Sequence, residues 1–157
     1  LIFYIMNIDF YMNLAIKKAE EAENYDEVPI GAVLINENKN QIISSRHNEI
    51  ITQKNPLKHA EMLVIEDAFK ITKTKFLEHT VIFSTLEPCF LCASAISEAR
   101  IKKIYFGAYD EKKGALENNT KIFNNNKYYK PQVYGGINEE KCSILLKNFF
   151  NKKRNLN

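Results

Sequence analysis

The sequence predicts an α/β domain of three layers, α/β/α, in which a central mixed five-stranded sheet carries helices on both faces. Short apolar runs typical of buried strands alternate with amphipathic helical segments, and the second half follows a β-α-β-α order that predicts parallel crossovers. The chain has 157 residues, of which 45% are hydrophobic, which suffices for one core. We therefore expect residues 1–157 to form a single domain.

The N-terminal part predicts one helix followed by a hairpin. Apolar residues recur at helical spacing in NIDFYMNLAIKKAEEAEN (7–24), with charged residues on the other face. Residues 28–31 contain a proline and a glycine and end this helix. AVLINE (32–37) is typical of a buried strand, residues up to 40 form a turn, and QIISSRHNEI (41–50) is the returning strand.

The middle of the chain predicts alternating helices and strands. HAEMLVIEDAFKI (59–71) has one apolar face and is a predicted helix, and HTVIFST (79–85) is a predicted strand. Pro88 is suited to the first position of a second helix, which continues to about Ala99. IKKIYFGA (101–108) is the next strand.

The last third begins with a segment that predicts no regular element. Residues 108–130 are polar and rich in asparagine, and we expect the stretch NNNK (124–127) to be a mobile loop. A short strand at 132–134 and a closing amphipathic helix at 138–153 complete the pattern.

The net charge of the chain excludes few classes of function. The net charge of +3 is mildly basic and permits an acidic partner such as nucleic acid without requiring one. Residues 147–157, the predicted basic end of the last helix, combine three lysines and Arg154 with Phe149 and Phe150. A solvated helix end is the simplest interpretation of this pattern, and an RNA contact is the alternative.

The three cysteines indicate a reducing compartment, because they cannot all pair and do not follow the spacing of a disulfide framework. The apolar run LIFYIM (1–6) is too short to span a membrane and lacks the features of a signal peptide. We therefore expect a soluble, cytoplasmic protein with no membrane partner. Leu1 is an unusual first residue, so Met6 is an alternative start and residues 1–5 an upstream extension.

Cys89 and Cys92 form a C-x-x-C pair directly after a proline. Alone, the pair suits a redox couple, a structural zinc site or a catalytic metal centre. His59 and Glu61 at a predicted helix start favour the third, because a catalytic zinc takes three protein ligands and keeps one position open. Cys142 lies on an apolar helix face, where we expect a buried thiol, so no fourth cysteine completes a structural site.

H-x-E followed by P-C-x-x-C is the signature of zinc-dependent nucleobase deaminases. In this chemistry zinc lowers the pKa of a water molecule, which then attacks an amidine-like ring carbon. Glu61 is placed to take the proton of that water and pass it to a ring nitrogen and then to the leaving amine.

Beyond this motif, the chain resembles the bacterial tRNA-specific adenosine deaminases, a family of the cytidine deaminase-like superfamily, from about residue 8 to residue 154. The segments that carry the resemblance are VPIGAVLI (28–35), HN (47–48), KHAEM (58–62), TLEPCFLCASAI (85–96), FGAYDEKKGA (106–115), GINEEKC (136–142) and LLKNFFNKKR (145–154). The resemblance implies the cytidine deaminase-like fold. It also implies one Zn2+ per subunit on His59, Cys89 and Cys92, with Glu61 as the proton carrier.

The same resemblance implies contacts with RNA. Asn48 would hydrogen-bond the flipped base, and Asp110 would contact the ribose or backbone beside it. Phe149, Phe150 and Arg154 would touch the anticodon loop by stacking and phosphate contact. Simpler interpretations remain open: a strand-end turn for Asn48, a helix N-cap for Asp110, and core packing for at least one phenylalanine.

The function implied is hydrolytic conversion of the wobble adenosine to inosine in a tRNA anticodon stem-loop, with release of ammonia. The enzyme would be a homodimer whose sites take RNA contacts from the neighbouring subunit, and DNA is not an expected partner. Two alternatives remain: a small-molecule deaminase of cytosine or guanine, because the zinc motif is shared, and an inactive, zinc-stabilised RNA-binding subunit. The chain departs from the family at residues 55–58, at Tyr109, where an arginine is usual, and in the loop 118–126.

Overall fold

The structure, a computed structural model, describes residues 5–156 of the chain. The predicted upstream extension therefore lies outside the described residues, except for Ile5. The strands are β1 (Gly31–Asn36), β2 (Gln41–His47), β3 (Thr80–Leu86), β4 (Lys103–Ala108) and β5 (Gln132–Tyr134). The α-helices are α1 (Ile8–Ala22), α2 (Ala60–Thr72), α3 (Phe90–Glu98) and α4 (Glu139–Asn155), and 3-10 turns occupy Glu23–Tyr25 and Ile122–Asn124.

The five strands form one mixed sheet, as the sequence predicts, and their order is β2-β1-β3-β4-β5. β1 is antiparallel to both β2 and β3, whereas β4 is parallel to β3 and to β5. Because β2 and β3 both oppose β1, their carboxyl ends lie at the same edge of the sheet. The helices α2 and α3, which follow these two strands, therefore begin at one common edge.

Helices cover both faces of the sheet and produce two apolar clusters. Along β1, Ala32 and Leu34 pack with α2 and α3, whereas Val33 and Ile35 pack with α1 and with Cys142 of α4. Burial on both faces explains the uninterrupted apolar run of this strand. Cys142 is 1% exposed, which confirms the buried thiol expected from its helix face.

The structure revises three sequence-based boundaries. β2 ends at His47, and the predicted final residues of this strand, 48–50, instead enter a series of turns. α3 begins at Phe90, two residues after Pro88, with Cys89 as its N-cap. The polar segment 108–130 contains the 3-10 turn Ile122–Asn124, which buries an isoleucine and a phenylalanine against the core. Residues 124–127 are exposed, with Asn124 ending the 3-10 turn, and the mobility of this stretch stays a prediction. Among residues 5–156, no helix combines the length and apolarity needed to cross a membrane.

Candidate active site and metal centre

Two helix starts bring the predicted zinc ligands together. His59 is the N-cap of α2, Cys89 is the N-cap of α3, and Cys92 lies in the first turn of α3. Their donor atoms all lie within 4.8 Å of one another. The Nδ1 atom of His59 is 3.7 Å from Sγ of Cys89 and 3.5 Å from Sγ of Cys92. The sequence prediction that these three side chains meet is therefore confirmed.

These distances fit a zinc ion. With Zn–N near 2.0 Å and Zn–S near 2.3 Å, a tetrahedral site separates nitrogen and sulfur by about 3.5 Å. One imidazole and two thiols also match the donor set of catalytic zinc sites that leave a position for water. His59, Cys89 and Cys92 are thus the residues that would hold the metal.

Electrostatics prepare one of the thiols for this role. The hydrogen bond from Cys92, followed by that of His59, lowers the pKa of the Cys89 thiol to about 4. The same hydrogen bond raises the pKa of Cys92 well above its ordinary value, because the two cysteines share one negative charge. The hydrogen bond with Cys89 in turn raises the pKa of the His59 imidazole. Metal binding releases these protons.

The start of α2 depends on Asn48. The Oδ1 atom of Asn48 accepts a hydrogen bond of 2.8 Å from the backbone N–H of Ala60, and the side chain is 3% exposed. An N-cap residue normally supplies such a bond with its own side chain. Because Asn48 supplies it instead, the ring of His59 is left for the metal. Asn48 thus stands at the end of β2 and also lines the cavity described below.

Glu61 lies within the same group of side chains. It is 4% exposed, its Oε1 accepts a 2.8 Å hydrogen bond from Oγ of Ser84, and its Oε2 lies 3.7 Å from Sγ of Cys92. Burial raises the pKa of the Glu61 carboxyl, which favours holding a proton. The site therefore contains a carboxyl group suited to proton transfer beside the three metal-binding side chains.

A cavity of about 550 Å3 opens over this group and is lined by His59, Glu61 and Cys89. Four of the five predicted substrate-binding residues also line it: Asn48, Asp110, Phe150 and Arg154. Phe149 does not; it is 8% exposed and packs edge-to-face against Phe150, with the ring centroids 5.4 Å apart. The expectation that at least one phenylalanine packs in the core is thus correct for Phe149.

Asp110 is not a helix N-cap, so that interpretation was wrong. Its Oδ1 accepts hydrogen bonds from the backbone N–H groups of Lys112 and Lys113, at 3.1 and 3.0 Å, within a turn. Both lysines of this turn also line the cavity. No helix follows Asp110: residues 111–113 form a turn, and Gly114 pairs with Cys89 as an isolated β-bridge.

The basic end of α4 is partly neutralised within the chain. Lys152 pairs with Glu23 at 3.5 Å, and Lys153 pairs with Asp26, both in the turn that follows α1. Arg154 instead lines the cavity. The basic end of α4 therefore divides into two lysines paired within the chain and one arginine at the cavity.

Sequence reasoning missed Glu87 as part of the site. This carboxylate is 1% exposed and accepts hydrogen bonds from backbone N–H groups of the loop that follows β4. The donors and distances are Asp110 (3.3 Å), Leu116 (3.1 Å), Glu117 (3.0 Å) and Asn118 (3.1 Å), with a further 2.6 Å bond from Nδ2 of Asn118.

Gly114 makes room for this anchor. A Cβ atom at Gly114 would lie 2.4 Å from Cδ of Glu87. The signal in the sequence was a carboxylate directly before Pro88, at the end of a predicted buried strand. Glu87 therefore fixes the loop that carries Asp110 and both lysines to the cavity.

Comparisons with known proteins agree with this arrangement. The sequence profile of the cytidine and deoxycytidylate deaminase zinc-binding region matches residues 6–108. The chain is 41% identical over 144 residues to the tRNA-specific adenosine deaminase of Rickettsia bellii (strain RML369-C), covering 91% of this chain and 99% of that protein. It is 40% identical over 147 residues to the tRNA-specific adenosine deaminase of Bacillus subtilis (strain 168), covering 93% and 90%.

Solved structures give the same result. One from studies of A-to-I editing by tRNA:A34 deaminases at the wobble position of transfer RNA has a TM-score of 0.84 and 37% identity, covering 87% of this chain and 99% of that chain. The guanine deaminase from Nitrosomonas europaea has a TM-score of 0.81 at 14% identity, covering 94% and 86%, and this likeness shows the fold alone. The profile match and the close relatives show that the chain belongs to the zinc-binding cytidine and deoxycytidylate deaminase family and, within it, to the tRNA-specific adenosine deaminases.

Proposed function

We propose that this protein converts the wobble adenosine of a tRNA anticodon loop to inosine by zinc-dependent hydrolytic deamination, releasing ammonia. The observation that carries the proposal is that a metal-binding cluster and a buried carboxyl group lie together in one cavity. This cavity belongs to a chain about 40% identical, over nearly its whole length, to tRNA-specific adenosine deaminases.

His59, Cys89 and Cys92 would hold a zinc ion, which when bound would activate water for attack on the ring carbon. The side chains of the protein contribute the proton transfers. Glu61 takes a proton released in the cavity and holds it, since burial raises the pKa of its carboxyl. It then delivers this proton to the ring nitrogen. In a second transfer it passes a different proton, taken from the oxygen newly bonded to the ring carbon, to the departing amine.

Ser84 fixes Glu61 for this task. Its Oγ donates to Oε1 of Glu61 at 2.8 Å, which leaves Oε2 directed towards the metal-binding side chains. Ser84 is fully buried at the end of β3, so its position is set by the sheet. Ser84 is therefore a positioning residue, and the carboxyl of Glu61 is the group that carries the proton.

The outer part of the cavity would bind the nucleotide. Its volume of about 550 Å3 is within the range of small-ligand sites, so a single base with its ribose fits. Asn48 uses Oδ1 for the α2 cap, and its Nδ2 group would donate to the flipped base. Asp110 would accept from a ribose hydroxyl, and Phe150 and Arg154 would contact the neighbouring nucleotides.

We further propose that the enzyme acts in the cytoplasm as a homodimer, with RNA contacts contributed by both subunits. Unpaired anticodon bases need little energy to leave the stack, which suits a site that requires a splayed-out base. The net charge of +3 and the cations along the cavity, Lys112, Lys113 and Arg154, support an RNA substrate.

The test is incubation of the zinc-loaded protein with an anticodon stem-loop RNA that carries a wobble adenosine, followed by nucleoside analysis. We expect inosine in the wild-type reaction and none with the same RNA bearing guanosine at that position. Turnover of free cytosine or guanine without inosine in RNA would instead support a small-molecule deaminase.

Salt provides a second discriminator. Binding through phosphates weakens steeply as salt rises, because the release of counterions from the RNA on binding becomes less favourable. We expect kcat/KM for the RNA to fall with added salt. A salt-independent kcat/KM would argue for an uncharged, free-base substrate.

A further inference from the structure

Tyr109 follows β4 directly and forms part of the cavity wall beside Asp110. It is 38% exposed, so its ring is neither buried in the core nor free in solvent. Its edge meets the ring of Phe106 at 88°, with the centroids 5.1 Å apart. An aromatic side chain thus stands at the cavity in a defined orientation.

Two glycines, Gly135 and Gly136, lie against the hydroxyl end of this side chain. A Cβ atom at Gly135 would lie 2.4 Å from the Cζ atom of Phe106 and 2.8 Å from the hydroxyl oxygen of Tyr109. At Gly136, where φ is +80°, a Cβ atom would contact the same hydroxyl at 3.7 Å. The close approach at Gly135 excludes a side chain there, and the positive φ favours glycine at Gly136. Tyr109 is thus held by packing on one side and lines the cavity with the other.

The charges around Tyr109 differ from those on the rest of the cavity wall. Burial and then the nearby carboxylates of Glu117, Glu139 and Glu87 raise the pKa of the Tyr109 phenol, which stays neutral at physiological pH. Carboxylates repel a phosphate at this position. The cations Lys112 and Lys113, which line the same cavity, are the groups that attract one.

A neutral, fixed aromatic ring next to carboxylates can stack on the face of a base but does not attract a phosphate. Base–aromatic stacking needs no charge and accepts any base, because every base has a π-face. Once the target adenosine enters the cavity, the bases on either side of it in the strand are unpaired and exposed. The distribution of charge therefore separates base binding at Tyr109 from phosphate binding at the lysines.

We propose that the ring of Tyr109 is a stacking site for the unpaired RNA base adjacent to the target adenosine. This inference rests on the proposed function, since it names a second nucleotide bound at the same cavity. The partner is one base of single-stranded RNA, on the 5′ or the 3′ side of the target. Tyr109 is a substrate-binding residue and takes no part in the proton transfers.

The experiment combines protein variants with abasic RNA. Anticodon stem-loops carry an intact base or an abasic ribose on the 5′ or the 3′ side of the wobble adenosine, and inosine formation gives kcat and KM. With intact RNA we expect Tyr109→Leu to lower kcat/KM about tenfold, mainly through KM, because stacking is lost. Tyr109→Phe keeps the ring and is expected to stay within about twofold of wild type.

The decisive comparison uses the abasic RNAs. Wild type is expected to lose about tenfold in kcat/KM at one of the two abasic positions, and on that RNA Tyr109→Leu should equal wild type. This wild-type result does not depend on the folding of any variant. Zinc content and the thermal midpoint of each variant check that the metal site is intact.

The outcomes separate the inference from the function on which it rests. Inosine formation by wild type with no loss on either abasic RNA overturns the stacking site and leaves the proposed function standing. An equal loss for Tyr109→Leu on the intact and both abasic RNAs has the same meaning, since the ring then acts only through protein packing. Absence of inosine from every wild-type reaction overturns both.

Discussion

At the inner end of the cavity Glu61 is 4% exposed and Cys92 is fully buried, whereas at the rim Phe150 is 46% exposed and Tyr109 is 38% exposed. The inner residues stand on helix starts and strand ends, fixed by backbone geometry and short hydrogen bonds. The rim is carried by the loop after β4 and by α4, whose basic end is held by exposed ion pairs. Exposed ion pairs contribute little to stability, so the rim is the more adjustable region.

This difference separates chemistry from recognition. The inner end holds the groups that perform deamination, and the rim determines which molecule brings a base there. Substitutions at the inner end should therefore remove activity on every substrate. Substitutions at the rim should alter affinity for RNA while the metal and the proton transfers stay intact.

The largest effect is expected from removal of a metal ligand at the inner end. Cys92→Ala should abolish zinc binding and inosine formation, because two ligands do not complete a catalytic zinc site. Metal content by mass spectrometry and inosine yield give the readouts. Cys142→Ala is the matched control: it also removes a buried thiol, and it should keep one zinc per chain. Retention of full zinc by Cys92→Ala would rule out the proposed ligand set.

The next effect in size concerns Glu61. Glu61→Gln keeps the shape of the side chain and should retain zinc, but it should lower kcat by about 100- to 10,000-fold, the range for loss of general acid–base catalysis. Glu66→Gln, on the same helix and paired with Lys58 at 3.0 Å, should leave kcat nearly unchanged. Wild-type turnover by Glu61→Gln would rule out Glu61 as the proton carrier.

Glu87 connects the two regions, and its substitution should have an intermediate effect. Glu87→Gln replaces an acceptor of several backbone N–H groups by an amide whose NH2 opposes them, so we expect a loss of about 1–3 kcal/mol in the free energy of unfolding. Urea unfolding measures this loss, and RNA turnover should fall while zinc stays bound. Glu111→Gln makes the same chemical change at an exposed position of the same loop and should be neutral. A stable Glu87→Gln with normal turnover would mean that the loop is fixed by other contacts.

The smallest effect is expected at Phe150. Phe150→Ala should raise KM for the RNA about fivefold with kcat unchanged, as expected for the loss of one stacking contact. Ile144 on the same helix has nearly the same exposure, 45% against 46%, but it does not line the cavity. Ile144→Ala should therefore leave KM unchanged. Equal effects of the two substitutions would mean that Phe150 acts on the helix and not on RNA.

The inner end could be predicted from the sequence because its signals are local. His59 with Glu61, and Cys89 with Cys92, are pairs within one helical turn, and both follow strands that the apolar pattern identifies. The mixed sheet followed from the same pattern. α3 begins at residue 90, two residues later than predicted, but Cys89 and Cys92 still lie at its N-terminal end. The later start therefore did not change the predicted metal ligands.

The rim could not be predicted in the same way, because its geometry depends on contacts between distant segments. Glu87 receives its hydrogen bonds from residues 23 to 31 positions away. Asn48 caps a helix that begins 12 residues later. The ion pairs that divide the basic end of α4 join residues more than 120 positions apart. Composition predicted the positive charge of this helix end but not its partners.

The anchoring of the loop after β4 has a consequence for how this protein can change. Glu87 binds the loop mainly through main-chain N–H groups, and only Asn118 adds a side-chain bond. Main-chain groups are the same for almost every amino acid, so exposed residues such as Lys112 and Lys113 can be exchanged without loss of the anchor. Exposed residues of this loop can therefore be exchanged, and substrate preference can change, while Glu87 still holds the loop and the catalytic residues keep their positions.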